Sequence, residues 1–295
     1  MPILSRIYWK FYRKLSGDQR IIPLPPRVTK DFQDPTKIKV FILTYCKWIQ
    51  QLYGTTLIFQ SIRTGFPNAI ITVIDNASVP SARKEIKQLA LSNNCRFFQI
   101  ENEVPHHVYL QDLIMDQPLA GTVVNLDPDI VLWKNCENWH FNALLAGGLI
   151  PAHNNELSPS NVRPRLHSSF YWIQDIEKLR NKIKYFKRIS GNEFDPFRPV
   201  AIKEGKRWYR YDTGSTLYMA LQKYCYCFTK KEYSAYNHII GGTHLNIYIN
   251  KIKVPKTKQL LRRLHTFAKT NPMKLHGMWK PLFQHYKDEK LMPTS

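Results

Sequence analysis

The sequence has no apolar run near the roughly 18 residues that crossing a bilayer takes. Its opening stretch, MPILSRIYWKFYRKLSG, carries a charge every three or four positions where a secretory signal would have an apolar centre. An integral or signal-exported protein is therefore not expected; the reading is cytoplasmic, with peripheral contact to the inner face of the membrane. Cysteine is scarce and scattered: Cys46, Cys95, Cys136, Cys225 and Cys227 form an odd set without a disulfide framework, which fits a reducing compartment. The one close pair lies in the aromatic stretch YCYCF, where strand alternation favours core thiols over a metal site. There is no internal repeat, no low-complexity tract and no composition of a collagen or coiled coil. Acidic residues are few, 22 against 43 Lys+Arg, which leaves the chain formally +21. With 43% hydrophobic and 13% aromatic residues, 295 residues suffice for a substantial core and exclude a disordered chain.

The positive charge is localised. Residues 1–30 contain 7 basic and 1 acidic side chains, residues 178–210 contain 11 and 3, and residues 251–295 contain 11 and 2, so the other 187 residues are net −2. A near-neutral body with three basic segments suits an enzyme that approaches a polyanion, either nucleic acid or anionic lipid. Solvated surface charge is the plainer alternative. Ile3, Leu4, Ile7, Tyr8, Phe11, Tyr12 and Leu15 recur at helical spacing opposite Arg6, Lys10, Arg13 and Lys14, and Leu260, Leu261, Leu264 and Phe267 oppose Lys258, Arg262 and Arg263. Such basic amphipathic helices fit a membrane interface or docking on the domain equally well.

The folded body is expected over 31–250, between a basic helix with a proline linker (1–30) and a basic extension (251–295). Buried strands are expected at 37–45, 69–75, 96–100 and 121–126, with helices at 48–63, 81–91 and 107–116 between them. Continuous apolar strands alternating with helices predict an α/β fold with a mostly parallel sheet covered on both faces. Further on, strands at 147–152 and 168–173 and helices at 175–186 and 215–224 are expected, and 188–210 reads as a long loop or mobile lid.

Three of these strands end in polar residues: the first in Thr44 and Tyr45, the second in Asp75-Asn76-Ala77-Ser78, the fourth in Asp127-Pro128-Asp129. In a parallel sheet those ends share one edge, where ligands bind. A hydroxyl, an aromatic ring and three carboxylates there suit a nucleotide with a metal-bound diphosphate: a ring or carboxylate for the base, a carboxylate for ribose hydroxyls, hard oxygen ligands for Mn²⁺ or Mg²⁺. Extended backbone through Asp127-Pro128-Asp129 lets both carboxylates face one metal–nucleotide group, with Pro128 stiffening the turn.

Over residues 37–133 the sequence resembles the nucleotide-sugar glycosyltransferases of GT-A fold, particularly the family 2-like group. The likeness rests on FILTY, VIDNAS and the DxD motif DPD, the first two standing about 80 and about 50 residues before the third. The resemblance implies a single GT-A (Rossmann-like) domain with a nucleotide-binding half (37–133) and an acceptor half (134–250). It implies that Thr44, Tyr45, Asp75 and Asn76 hold the nucleoside of a nucleotide-diphosphate sugar, UDP-sugar favoured. Asp127 would contact ribose or metal, Asp129 would ligate the ion, and the metal would neutralise the diphosphate leaving group. Asp212, at the start of an apolar helical run, resembles the general base of inverting members, although Tyr211 replaces one of the usual acidic pair and a helix cap is the other role open to it. His244, after Gly241-Gly242, resembles a histidine that completes the metal shell or touches diphosphate, with His238 before the glycines the lesser candidate. Asn154 and Glu156 are candidates for acceptor contact, and Arg163, Arg165 and His167 could pair with phosphate or an acidic acceptor, or equally with surface carboxylates.

Three functions follow. The first is a metal-dependent glycosyltransferase that adds a sugar to a surface glycan, lipid-linked or lipopolysaccharide acceptor. The second keeps the donor chemistry and glycosylates hydroxymethylated bases in viral DNA, with Phe170, Tyr171 and Trp172, or Trp208 and Tyr209, stacking a flipped base. The third is an inactive GT-A domain that only binds glycan or nucleic acid, which the intact DPD and Asp75 weigh against.

Overall fold

The computed structural model describes residues 22, 26–47, 52–150, 165–190, 195–204, 207–211 and 213–238. Among the described residues there are eleven strands: β1 (Lys39–Thr44), β2 (Ile70–Asn76), β3 (Arg96–Ile100), β4 (Val123–Leu126), β5 (Ile130–Leu132), β6 (Leu145–Ile150), β7 (Arg165–Ile173), β8 (Val200–Glu204), β9 (Arg207–Tyr211), β10 (Cys225–Cys227) and β11 (Tyr236–His238). Seven form one sheet in the order β10-β6-β7-β4-β1-β2-β3. β1 pairs in parallel with both β2 and β4, β2 with β3, and β10 with β6. Only β7 runs against its neighbours β4 and β6. The fold is the α/β type with a mostly parallel sheet that the sequence predicts.

Alternation along the strands feeds two cores. Val40, Ile42, Val124, Leu126, Phe170 and Trp172 belong to one buried cluster. Phe41, Val123, Tyr171 and Ile173 belong to the other. Both sheet faces are therefore covered, which is why these strands are buried at nearly every position. Helices Pro80–Ser92 and Ile176–Ser190 contribute Ala82, Ile86 and Ala90 to the first cluster and Ile176, Leu179 and Ile183 to the second. Lys39 is fully buried at the start of β1, where its ammonium donates to the carbonyls of Asp34 and Ala120.

Two expectations are corrected. The single helix expected at 48–63 is instead, over its described part, a helical turn Leu52–Thr55, a 3-10 turn Leu57–Gln60 and a turn Ile62–Gly65. The breaks turn polar groups toward the neighbouring chain: the Ile58 N–H donates to the Pro128 carbonyl at 2.9 Å, and the Ser61 hydroxyl accepts from the Leu132 N–H at 2.9 Å. The loop expected at 188–210 is, where described, the end of helix Ile176–Ser190 followed by the β8–β9 antiparallel hairpin, with Val200 opposite Tyr211 and Glu204 opposite Arg207. Its many charges concealed a strand pair rich in β-favouring Val, Ile, Trp and Tyr. The helices expected in the basic extensions lie outside the described residues.

Candidate active site

The carboxyl ends of β1, β2 and β4 lie on one edge of the sheet, Thr44 opposite Asp75 and Ile42 opposite Leu126. Because β7 is reversed, its amino-terminal residues arrive at that same edge. Thr44 is buried, with its hydroxyl 3.4 Å from both the Ile74 carbonyl and Asp75 Oδ1. Asp75 is fully buried, and its Oδ2 accepts from the Ser78 N–H at 3.1 Å and from Arg83 Nε at 3.2 Å. The Asn76 amide spans to the next loop, donating to the Val104 carbonyl and accepting from the Val104 N–H, both at 2.8 Å. Ala77 takes the left-handed conformation (φ 56°), and the Ser78 hydroxyl accepts from the Cys46 N–H at 2.9 Å. Asp75, Asn76 and Ser78 thus tie the loops after β1, β2 and β3 together. Tyr45 is half-buried beside this edge; desolvation and then its hydrogen bond to Glu103 push its phenol well above the ordinary range.

Asp127 and Asp129 sit in the turn that joins β4 to β5. The Asp127 N–H donates to the Ser169 carbonyl at 2.8 Å, and the Pro128 carbonyl is held by Ile58. β5 pairs antiparallel with β11, with Ile130 opposite His238, so the histidine is delivered beside the turn. The Trp133 N–H continues this contact to the Ala235 carbonyl at 2.7 Å. β11 is anchored by Tyr236, whose ring meets Phe170 edge-on at 4.8 Å within the first core. Just upstream, Thr229 and Glu232 form a capping box at the helix Lys230–Tyr233.

Asp127, Asp129 and His238 converge so that one ligand atom from each lies within 4.8 Å of the others, a group that could hold a metal ion. His238 Nε2 is 3.4 Å from Asp129 Oδ1. Burial pulls the His238 pKa down, but the Asp129 and then the Asp127 carboxylates outweigh it and raise the imidazole above its ordinary value. Asp129 Oδ1 is buried and has the His238 imidazole, itself a metal-type donor, as its polar neighbour. Two carboxylates and one imidazole are a hard-to-borderline donor set that fits Mn²⁺ or Mg²⁺.

β7 carries the candidates Arg165 and His167 and adds Ser169, which the motifs leave unannounced. The Ser169 hydroxyl hydrogen-bonds Asp127 Oδ2, and His167 Nδ1 lies 2.6 Å from the same hydroxyl. Arg165 is buried with its guanidinium 3.5 Å above the Tyr211 ring. Sequence reasoning passed over Ser169, Arg83 and Glu103. Nothing local distinguishes Ser169, which meets Asp127 only because β7 pairs antiparallel with β4. Arg83 had a faint signal, since it falls in the first turn of the helix that follows the Asp75 loop.

Asn154, Glu156, Arg163, Asp212 and His244 lie outside the described residues, and among the described residues the histidine beside the DPD turn is His238. The base-stacking role suggested for Phe170, Tyr171 and Trp172 is contradicted: all three are at most 2% exposed and packed into the two cores. For Trp208 and Tyr209 the structure gives the strand β9. Part of the basic 178–210 segment is likewise structural, since the Arg180 guanidinium donates to the carbonyls of Ile114, Leu119 and Gln117. Cys225 and Cys227 are half-buried thiols on an edge strand, and the Cys227 sulfur lies 3.9 Å from the Tyr218 hydroxyl. No helix among the described residues is long and apolar enough to cross a membrane.

No protein-family model and no curated protein sequence matches the chain. Solved structures with partial likeness include the bifunctional glycosyltransferase WbbM (13% identity, TM-score 0.41, 65% of this chain and 38% of that one). Another is the glycosyltransferase GlyE of Streptococcus pneumoniae TIGR4 (13%, 0.39, 66% and 46%). A third is the mannosyltransferase PcManGT of Pyrobaculum calidifontis in complex with GDP-Man and Mn²⁺ (12%, 0.42, 98% and 79%). The chain thus covers less than two thirds of the length of WbbM and of GlyE. These likenesses are distant in sequence and in shape, and none of them assigns a reaction to this chain.

Proposed function

We propose that the protein is a divalent-metal-dependent glycosyltransferase that moves a sugar from a nucleoside-diphosphate donor to a hydroxyl of a glycan or lipid-linked acceptor. The observation that carries this reading is the convergence of Asp127, Asp129 and His238 at the carboxyl edge of the sheet, next to the Thr44–Asp75 strand ends. Asp127, Asp129 and His238 would hold Mn²⁺ or Mg²⁺, and the bound ion would supply Lewis-acid stabilisation of the charge that develops on the leaving diphosphate.

The remaining work falls to the chain's own groups. Tyr45, at the end of β1, offers an aromatic face and a hydroxyl held by Glu103 for the nucleobase. Thr44, Asp75 and Asn76 support the nucleoside site by fixing the loops around it, since their polar atoms are already bonded within the protein. Arg165, immobilised on Tyr211, supplies a pre-oriented cation for an anionic group of donor or acceptor. Asp212 is the proposed general base that takes the proton of the attacking hydroxyl, which corresponds to an inverting reaction. The next residue is described: the Thr213 carbonyl accepts from the Ser168 N–H at 3.3 Å, on the strand that carries His167 and Ser169.

The test is a screen of nucleotide sugars for donor hydrolysis and transfer in Mn²⁺. The reading predicts turnover of at least one donor by the wild type and its loss in Asp129→Ala. Equal turnover by Asp129→Ala would remove the metal assignment.

A further inference from the structure

We propose that His167 is a positioning residue for the metal site: acting through the Ser169 hydroxyl, it fixes the plane in which Asp127 presents its carboxylate. The inference rests on the metal reading above and adds a group that none of the sequence motifs contains.

The geometry is a chain of contacts from a half-buried imidazole to a ligand oxygen. The Ser169 hydroxyl bonds Asp127 Oδ2, and His167 Nδ1 stands 2.6 Å from that hydroxyl. A carboxylate can only accept, so the hydroxyl proton points to Asp127 and the serine oxygen's lone pairs face His167. His167 Nδ1 is then the donor, in the tautomer that carries its proton on that nitrogen. That tautomer leaves the Ser169 N–H, 3.1 Å from Nδ1, facing a second donor, a contact that only the opposite tautomer could accept; the 2.6 Å contact to a hydroxyl already committed to Asp127 is what selects the donor form.

Asp127 is thereby held at two points of one residue, its N–H on the Ser169 carbonyl at 2.8 Å and its Oδ2 on the Ser169 hydroxyl. A terminal carboxylate torsion is otherwise broad and roughly two-fold. Two contacts to one buried serine remove that freedom, and the imidazole removes the remaining freedom of the hydroxyl rotor. His167 is beside the ligand group without belonging to it, its ring centre 6.4 Å from that of His238. Groups that orient a metal ligand in this way typically change affinity about 10–100-fold when removed.

The experiment is Mn²⁺ binding to the full chain without any donor, followed by electron paramagnetic resonance, for the wild type, Asp129→Ala, Ser169→Ala, Ser169→Thr, His167→Ala, His167→Asn and the double variant Ser169→Ala/His167→Ala. The expected result is loss of binding in Asp129→Ala and a roughly 10-fold or greater weakening in Ser169→Ala. Ser169→Thr, which keeps the hydroxyl, stays near wild type. His167→Ala weakens binding in the same direction, the double variant is no weaker than Ser169→Ala, and His167→Asn, which keeps an N–H donor near the Nδ1 position, recovers most of the affinity. That coupling and rescue are what a merely structural role would not produce. Wild-type affinity in Ser169→Ala or in His167→Ala overturns the relay while leaving the metal site standing, and so does an additive loss in the double variant. No Mn²⁺ uptake by the wild type, or undiminished uptake by Asp129→Ala, overturns the metal reading and the relay with it.

Discussion

Nε2 of His238 lies 3.4 Å from Oδ1 of Asp129, although one residue is on β11 and the other is in the turn between β4 and β5. The contact exists because β11 pairs with β5 and the aromatic anchor Tyr236 holds β11 in place. His238→Ala is therefore expected to weaken Mn²⁺ binding by ~100-fold or more, beyond the range for an outer-shell group, while leaving the fold intact. Calorimetric titration with Mn²⁺ checks this; an unchanged affinity would place the third ligand elsewhere.

Arg83 and Asp75 supply a second prediction. Asp75 is wholly buried and has Arg83 Nε 3.2 Å away, and the Arg83 side chain is 26% exposed. Arg83→Met leaves the carboxylate without its cation. The expected loss is ~1–3 kcal/mol, below the ~3–5 kcal/mol for a fully buried pair, because solvent screens part of the attraction. Urea unfolding measures it, and a change below ~0.5 kcal/mol would mean that the Ser78 N–H and Thr44 satisfy Asp75 alone.

Gly214 is placed where only glycine fits. Its φ is +92°, and a Cβ there would overlap the Tyr171 hydroxyl. Gly214→Ala combines left-handed strain of ~1–2 kcal/mol with overpacking of ~1–3 kcal/mol. A marked fall in melting temperature is expected. Wild-type stability in this variant would contradict the packing of the 213–215 turn against β7.

The capping box that precedes β11 carries a pH dependence. Burial raises the Glu232 pKa, but its hydrogen bonds from the Thr229 N–H and hydroxyl and from Tyr226 outweigh this and leave it below the ordinary 4.5. A carboxylate whose folded pKa is depressed contributes stability that is present above the unfolded pKa and lost as pH falls through the folded one. Stability should therefore fall as pH drops below about 4.5, and Glu232→Gln should flatten that part of the profile at a cost of ~1 kcal/mol near neutrality. Thermal melts between pH 3 and 7 test it; an unaltered acid limb in the variant would contradict the assignment.

Much of the sheet was legible because β1, β2 and β4 contain short apolar runs, Val40–Leu43, Ile70–Ile71 with Val73–Ile74, and Val123–Val124, the pattern of strands covered on both faces. The DPD turn was legible because polar residues end an apolar strand. What escaped depended on contacts distant in sequence. Ser169 has no local signature and reaches Asp127 through antiparallel pairing. The 52–65 segment has helical apolar spacing, yet Ser61 and Ile58 break it to serve Leu132 and Pro128. Aromatic residues misled in the other direction: Phe170, Tyr171 and Trp172 looked available to a base and are core. His238 was the lesser of two histidines until the register of β11 on β5 set it beside Asp129.

The most direct measurement is calorimetric binding of a nucleoside diphosphate to the wild type and to Asp129→Ala, each with and without Mn²⁺. The account predicts that the wild type binds only, or at least ten-fold more tightly (~1.4 kcal/mol), when Mn²⁺ is present, and that Asp129→Ala abolishes the metal's effect. Binding indifferent to Mn²⁺, or a metal effect that survives in Asp129→Ala, would contradict it.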